Sequence, residues 1–293
     1  MRKFSDLKGI IEYACENNLK ISEVALKIQS LELGVDEDVI YQDFKHKYDI
    51  MKESIENGLV ENSKSVSGLT GGMAYKMLQS YKKGNFSGSF LGKVIYSALS
   101  VSEHNACMGC IVAAPTAGSC GIIPACLLTL QEEHGVSERD TIMGLINASA
   151  VGYIISRNAT VSGAEGGCQA ECGSASAMIA SGMVEMLGGN PNECGHAVSQ
   201  SLKMLMGLVC DPVAGLVEEP CVVRNAGSAT IAVTAAELSL AGIESIIPVD
   251  EVIDAMFQVG KLLPDSLKET AEGGVAITDT GKKLTEEIFG KQS

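Results

Sequence analysis

The sequence contains no tryptophan, and aromatic residues make up only 4% of its 293 positions. A core of this size must be filled by aliphatic and small side chains. Positive charge is scarce too: 22 Lys and Arg stand against 36 Asp and Glu, a net charge of −14. Nucleic acids and anionic membrane surfaces are bound through basic patches, so neither is an expected partner. Long uninterrupted apolar runs are missing. The stretch 111–130 is broken by Pro115 and Pro124, and 231–247 carries Glu237 and Glu244, which a bilayer centre would penalise. No export signal is visible, since Met1, Arg2 and Lys3 lead directly into a charged amphipathic pattern. A cytoplasmic, reducing location is the expectation. There, ten cysteines point to metal ligation, catalysis or small buried side chains rather than disulfides.

What is abundant is small or aliphatic. Hydrophobic residues reach 46% and glycine contributes 32 positions, a composition that lets backbones approach closely. Charge thins out in the middle of the chain. Only 15 of the 131 residues from Asn105 to Ala235 are charged, against 20% overall, which marks that region as buried. The length suffices for one large core or two modest ones.

Helical spacing of apolar residues dominates. Phe4, Leu7, Ile10, Ile11 and Ala14 form one stripe, Ala25, Ile28 and Leu31 a second, and Ile40, Phe44, Tyr48, Met51 and Ile55 a third. Residues 1–60 therefore read as an N-terminal helical scaffold. After a polar linker at 61–67, residues 61–293 read as a catalytic domain continuous with it. Helices are predicted over 73–81, 90–106, 141–155, 174–187, 192–208, 225–241 and 249–262. Strand-like alternation is poor, so the expected fold is mostly α. Glycine-rich junctions at 67–72, 114–121, 162–173 and 271–281 join the helices. Such a junction at a helix N-terminus exposes backbone N–H groups that suit an anion, although a plain capped turn looks the same in sequence.

The cysteines divide by spacing. Cys107 and Cys110 form a lone C-x-x-C, Cys168 and Cys172 lie four apart, and Cys194 precedes His196 by two. No two-plus-two zinc pattern emerges. Cys210 and Cys221 differ because Asp211-Pro212 follows the first and Pro220 precedes the second, and proline restricts both itself and its predecessor. Cys168 lies in an equally constrained loop between Gly167 and Gln169. Three thiolates from three loops could hold three irons of a [4Fe–4S] cluster and leave the fourth open as a Lewis acid. On spacing alone, the same cysteines could equally be small core residues.

Four longer segments carry more information. They are 102–109 (Ser-Glu-His-Asn-Ala-Cys-Met-Gly), 113–121 (Ala-Ala-Pro-Thr-Ala-Gly-Ser-Cys-Gly), 165–171 (Glu-Gly-Gly-Cys-Gln-Ala-Glu) and 210–221 (Cys-Asp-Pro-Val-Ala-Gly-Leu-Val-Glu-Glu-Pro-Cys). In this order they resemble the bacterial iron–sulfur-dependent L-serine dehydratases, in particular the α subunit of the two-subunit form. The likeness spans nearly the whole chain and is weakest over 1–60. It implies a helical catalytic domain whose glycine-rich loops converge on an oxygen-sensitive [4Fe–4S] cluster. It also implies conversion of L-serine to pyruvate and ammonia without pyridoxal phosphate, with a monovalent cation as a further candidate cofactor. The family's cluster cysteines match Cys168, Cys210 and Cys221. Its smaller β domain has no counterpart here, so a separate β chain is the expected partner, and no cysteine in the tail 290–293 would cover the open iron.

Roles follow from the resemblance and from side-chain chemistry. Thr116, Gly118 and Ser119 are candidates for the substrate carboxylate, His104 for proton transfer and Asn105 for the substrate amine. Ser67 and Thr70 sit in a loop that could close over the substrate. Gln169, Glu171 and Arg224 are expected to orient the cluster loops, with Arg224 alternatively pairing with Glu218 or Glu219. Cys107, Cys110, Cys120, Cys126 and Cys172 read as buried or supporting thiols, and His196 as a core histidine. Two other readings are a dehydratase for a different β-hydroxy acid or amino acid, and a non-catalytic, metal-stabilised scaffold.

Overall fold

The computed structural model describes residues 4–290, among which lie thirteen α-helices and no β-strand. The helices are α1 (Leu7–Glu16), α2 (Ile21–Leu33), α3 (Glu37–Gly58), α4 (Met73–Lys82), α5 (Gly88–Ala106), α6 (Ile122–His134), α7 (Glu138–Asn158), α8 (Gly163–Gly166), α9 (Ser174–Met186), α10 (Pro191–Leu205), α11 (Cys221–Leu240), α12 (Val249–Leu262) and α13 (Asp279–Phe289). The mostly α expectation is met. Residues 1–3 and 291–293, which carry the expectations about an export signal and a tail thiolate, lie outside the described part. No helix among the described residues is long and apolar enough to cross a membrane.

Helix α9 is the centre. Each of its residues is buried, and it packs against α6, α7, α10 and α11. Small side chains make this possible. A Cβ on Gly182 would lie 2.6 Å from the carbonyl oxygen of Gly144 on α7, so these two helices cross with their backbones in contact. A tryptophan-free, glycine-rich composition is what such a crossing needs.

The first three helices are built into the same core. α1 lies on α10, α2 on α7 and α3 on α5, and Leu7, Ile21 and Met51 belong to one apolar cluster with Ile146 and Ile179. Asp250 of α12 accepts from the backbone N–H groups of Leu7 and Lys8, both at 2.9 Å, and so caps α1 from 242 residues away. Local signals set the other ends. Asp36 and Ser137 cap α3 and α7, Asn190 and Glu193 form a capping box with Pro191 at the start of α10, and left-handed Gly34 and Gly135 close α2 and α6.

Three departures from the predicted elements bear on the site. α11 starts at Cys221, four residues before the expected Asn225, so Cys221 and Arg224 share its first turn and Asn225 follows one turn after Cys221. α10 stops at Leu205 because Met206 is extended (φ −61°, ψ 130°) and Gly207 takes φ 88°. The junction 162–173 is not an open loop: α8 is followed by a five-residue π-helical turn, Gln169–Gly173. Such widened turns recur at functional sites.

Candidate functional site

Cys210 is fixed by backbone on both sides. Its N–H donates to the Leu267 carbonyl, and its own carbonyl accepts from the Glu269 N–H, both at 2.9 Å. Asp211, next in sequence, is buried. Its Oδ2 accepts from the Val275 N–H at 2.8 Å and its Oδ1 lies 2.7 Å from Arg224 Nη1. Gly274 is required there, since a Cβ would come within 2.0 Å of Asp211 Oδ2. Arg224 also donates to the Val209 carbonyl at 2.9 Å. It therefore pairs with Asp211, not with Glu218 or Glu219, because α11 begins early enough to turn it back towards Cys210.

Cys221 enters at the start of α11, after a turn in which Ala214 and Gly215 take left-handed φ values of 58° and 69°. Asn225, one turn later, clamps the loop that carries the carboxylate candidates. Its Oδ1 accepts from the Gly121 N–H at 2.9 Å, and its Nδ2 donates to the carbonyls of Gly118 at 2.7 Å and Cys221 at 2.9 Å. Asn225 closes the second proline-flanked cysteine segment in sequence, yet nothing in residue spacing predicts this role, because its partners at Gly118 and Gly121 are more than a hundred residues away.

Cys168 follows Gly167, whose φ is 76°. The next residue, Gln169, is satisfied at both ends. Its Nε2 donates to the carbonyls of Gly166 at 2.9 Å and Met256 at 3.0 Å, and its Oε1 accepts from the Gly207 N–H at 2.9 Å. It thereby joins the Cys168 loop to the segment leading into Cys210. Cys172, at the end of the π-turn, places its sulfur 3.3 Å from Cys168 Sγ.

Glu171 links these loops to the Thr116 turn. Thr116 Oγ1 donates to Glu171 Oε1 at 2.8 Å and lies 3.2 Å from Ser119 Oγ. A Cβ on Gly163 would fall 2.7 Å from Glu171 Oε2 and 3.2 Å from Cys210 Sγ, so the absence of a side chain there keeps the carboxylate and the thiol side by side.

The charges in this space act on one another. Burial raises the pKa of Cys210, and Glu171 and Cys168 add to the rise. Burial, Cys168 and Glu171 push Cys221 up to about 12 against the pull of Arg224. Cys168 alone is lowered, first by its hydrogen bond with Cys172 and then, against its burial, by Arg224. Burial also raises Glu171, although the Thr116 hydroxyl opposes it. For Arg224, burial works against the charge and is outweighed by Cys168, Asp211 and Cys221. Cys168, Cys210, Cys221, Glu171 and Arg224 thus form one electrostatic unit. Among the described residues, no three His, Cys, Asp or Glu side chains close around the position of a single ion.

A second group of residues gathers around the end of α5. His104 lies in the last turn of α5, with its ring against Gly109, where a Cβ would fall 2.2 Å from Nε2. Burial lowers its pKa. Asn105 is half-buried. No hydrogen bond joins either side chain to the three cysteines or Glu171 among the described residues. The hydroxyls of Ser67 and Thr70 are both taken by Glu218: Ser67 Oγ lies 2.9 and 2.8 Å from its two carboxylate oxygens, and Thr70 Oγ1 3.2 Å from Oε2. The helix N-terminus after that loop is likewise filled. Glu103 accepts from the N–H groups of Met73 at 2.8 Å and Ala74 at 2.9 Å. The anion seat read from the 67–72 junction exists and holds the chain's own carboxylate.

The remaining candidates separate cleanly. Cys120, Cys126 and Cys172 are buried and Cys107 is partly so, but Cys110 is exposed. The chain turns outward after α5 through Met108 (φ 63°), which corrects the expectation for Cys110. His196 Nδ1 accepts from the Ser245 N–H at 3.2 Å, a structural contact.

Residues 16–276 match a family model described as "Serine dehydratase alpha chain". The chain is 43% identical over 288 residues to the probable L-serine dehydratase alpha chain of Bacillus subtilis (strain 168), covering 98% of this chain and 96% of that one. It is 40% identical over 283 residues to the L-serine dehydratase alpha chain of Peptoniphilus asaccharolyticus, covering 96% and 97% respectively. Against the L-serine dehydratase of Streptomyces coelicolor the identity is 35% over 274 residues, 92% of this chain but 59% of that protein.

Proposed function

Since the chain belongs to the serine dehydratase alpha-chain family, we propose that it converts L-serine to pyruvate and ammonia as the α subunit of an iron–sulfur L-serine dehydratase. The observation that carries the reading is that Cys168 and Cys210, both buried, and Cys221, partly buried, come from three separate segments and act on one another's thiols together with Glu171 and Arg224. Three thiols spread around a common space suit a cluster, in which each iron takes one thiolate, better than a single ion that draws all ligands to one point. When bound, a [4Fe–4S] cluster with three thiolate ligands supplies an open iron, a Lewis acid for the substrate hydroxyl.

The chain's residues would do the rest. The turn at Thr116, Gly118 and Ser119 offers hydroxyls and backbone N–H groups to the substrate carboxylate, and Asn225 holds that turn in place. His104 takes the α proton, with its neutral form favoured by burial. Asn105 faces the amine. Loss of the proton and of the β-hydroxyl as water gives 2-aminoacrylate, whose imine tautomer takes up water and releases ammonia. Gln169 and Arg224 hold the cysteine segments in register. A separate β chain completes the enzyme, as the designation of the relatives as alpha chains suggests.

Anaerobic purification followed by iron and sulfide analysis tests this reading. The expected result is a brown protein with about four irons per chain, forming pyruvate from L-serine when the β chain is added. Replacing Cys168, Cys210 and Cys221 singly by serine should lower iron content in each case. A colourless protein holding one zinc would overturn the proposal, and full iron retention in any single variant would remove that cysteine from the ligand set.

A further inference from the structure

Cys172 has no part in the reaction just described, yet its sulfur lies 3.3 Å from that of Cys168. Both side chains are buried, at 1% and 3% exposure, and no other cysteine pair among the described residues is hydrogen-bonded. The contact follows from local geometry. Residues four apart share a helix face, but their Cβ atoms stand ~5–6 Å apart in a regular α-helix. Here the backbone between them is widened into the π-turn Gln169–Gly173, and the sulfurs meet. A disulfide needs an S–S distance of about 2.05 Å and a Cβ–Cβ distance of about 3.8 Å, so closing the bond brings the sulfurs little more than an ångström nearer and draws the two Cβ atoms in with them. Gly167, with φ 76°, precedes the pair and packs against Leu263 and the Leu208 carbonyl, while a Cβ on Gly173, just after it, would meet Leu205 Cβ at an ordinary contact distance of 3.6 Å.

We propose that in the cluster-free chain Cys168 and Cys172 close into a reversible disulfide, a redox latch that withdraws Cys168 from the ligand set and shields it from irreversible oxidation. The proposal rests on reading Cys168 as a cluster ligand. The oxidant is a peroxide. The Cys168 thiolate attacks one peroxide oxygen, the O–O bond breaks, and a sulfenic acid forms as hydroxide leaves and takes up a proton. The Cys172 sulfur then attacks Cys168 Sγ, the S–O bond breaks, and water departs with the Cys172 proton. In sum, two thiols and one hydrogen peroxide give one disulfide and two waters. A dithiol reductant reverses the step. Without Cys172, the sulfenic acid stays open to a second peroxide and proceeds to sulfinic acid, which such a reductant does not restore.

The sequence between the two cysteines supplies the assay. Cleavage after Glu165, Glu171 and Glu185 yields Gly-Gly-Cys-Gln-Ala-Glu (166–171) and the peptide 172–185, each with one cysteine. The latch would hold these two peptides together. Full-length cluster-free chain is treated with hydrogen peroxide, digested without reductant and analysed by mass spectrometry. Iron and sulfide uptake is measured in parallel, before and after dithiothreitol. The expected result is the linked pair as the main product, with little iron uptake until reductant is added and near-full uptake afterwards. In C172S and C172A the linked pair should be missing, Cys168 should carry two oxygens, and uptake after reductant should fall about tenfold or more. Circular dichroism identifies any variant that has merely unfolded, and two variants guard against a defect peculiar to one. Absence of the linked pair from the wild type, linkage of Cys168 to Cys210 or Cys221 instead, or equal loss of uptake in wild type and both variants would each overturn the latch. Failure of the fully reduced, untreated chain to take up iron and sulfide would instead refute the cluster reading, and the peptide map would still report on the bond.

Discussion

Replacing Glu103 by alanine is expected to release α4 while the rest of the molecule stays folded. α4 starts from Gly72, which has no side chain to cap it, and its first two N–H groups donate to Glu103 instead. Of its ten residues only Ala74 is fully buried; Met73 and Met77 pack against the core while still partly exposed, so the helix is held on α5 by a one-sided contact. Isolated helices of this length are marginal in water. Each hydrogen bond to a charged acceptor contributes about 1.5–3 kcal/mol net, and an anion at a helix N-terminus adds about 0.3–1 kcal/mol. Allowing for overlap between these effects, E103A should lower the opening free energy of α4 by about 3–4 kcal/mol. At 1.36 kcal/mol per factor of ten, amide exchange in 73–82 should then accelerate by between two and three powers of ten. Hydrogen exchange read by mass spectrometry compares that segment with α9, whose protection should not change. E103Q keeps one carbonyl acceptor and should fall between the two. Unchanged exchange at 73–82, or equal acceleration throughout α9, would refute the argument. The consequence reaches the site, because the loop before α4 holds Glu218 through Ser67 and Thr70.

Three other outcomes are expected. Burial raises the carboxyl pKa of Glu185 on α9, although Ser22, Asn147 and Lys20 oppose it, so the folded chain holds this proton more tightly than the unfolded one. Its contribution to stability is complete below the ordinary glutamate pKa and is lost as pH rises through the folded value; urea melts across pH should show that decline and E185Q should remove it. Burial lowers the His104 pKa, so kcat/KM should fall on the acid side at a pH below the ordinary histidine value. H104N should cost about 10²–10⁴-fold, and G109A, whose methyl would strike the ring, should cause much of the same loss with the histidine intact. N225A breaks three hydrogen bonds and should lower stability by about 2–3 kcal/mol in urea melts while raising KM for L-serine.

Much of the fold is legible in the sequence because apolar residues at helical spacing report burial directly. The helices predicted over 73–81, 90–106, 174–187 and 249–262 end within two residues of those observed. What escaped has physical causes. A π-turn adds one residue to a helical turn without changing composition, so Gln169–Gly173 reads as a glycine loop in the sequence. The first turn of α11 contains Val222 and Val223, whose branched side chains disfavour a helix locally; Pro220 and the packing of Val222 override that preference.

The polar contacts were the least legible, because their partners are far apart in the chain. Glu103 reaches Met73 and Ala74 across about thirty residues, and Glu218 reaches Ser67 across 151. No periodic signal encodes such pairs. Sequence can show that a loop would welcome an anion, but not which anion arrives. In a chain with a net charge of −14, three such seats are filled from within: Glu103 at α4, Glu218 at Ser67 and Thr70, and Glu171 at Thr116. The third has a mechanistic consequence for the proposed reaction. The Thr116 hydroxyl has one proton to donate and already gives it to Glu171, so a substrate carboxylate arriving at that turn must turn Glu171 aside. Gly118 and Gly163 leave the space that carboxylate occupies, since a Cβ on either would come within 3.2 and 2.7 Å of it. Substrate entry and the arrangement of the π-turn that carries Glu171 and Cys172 are therefore mechanically connected.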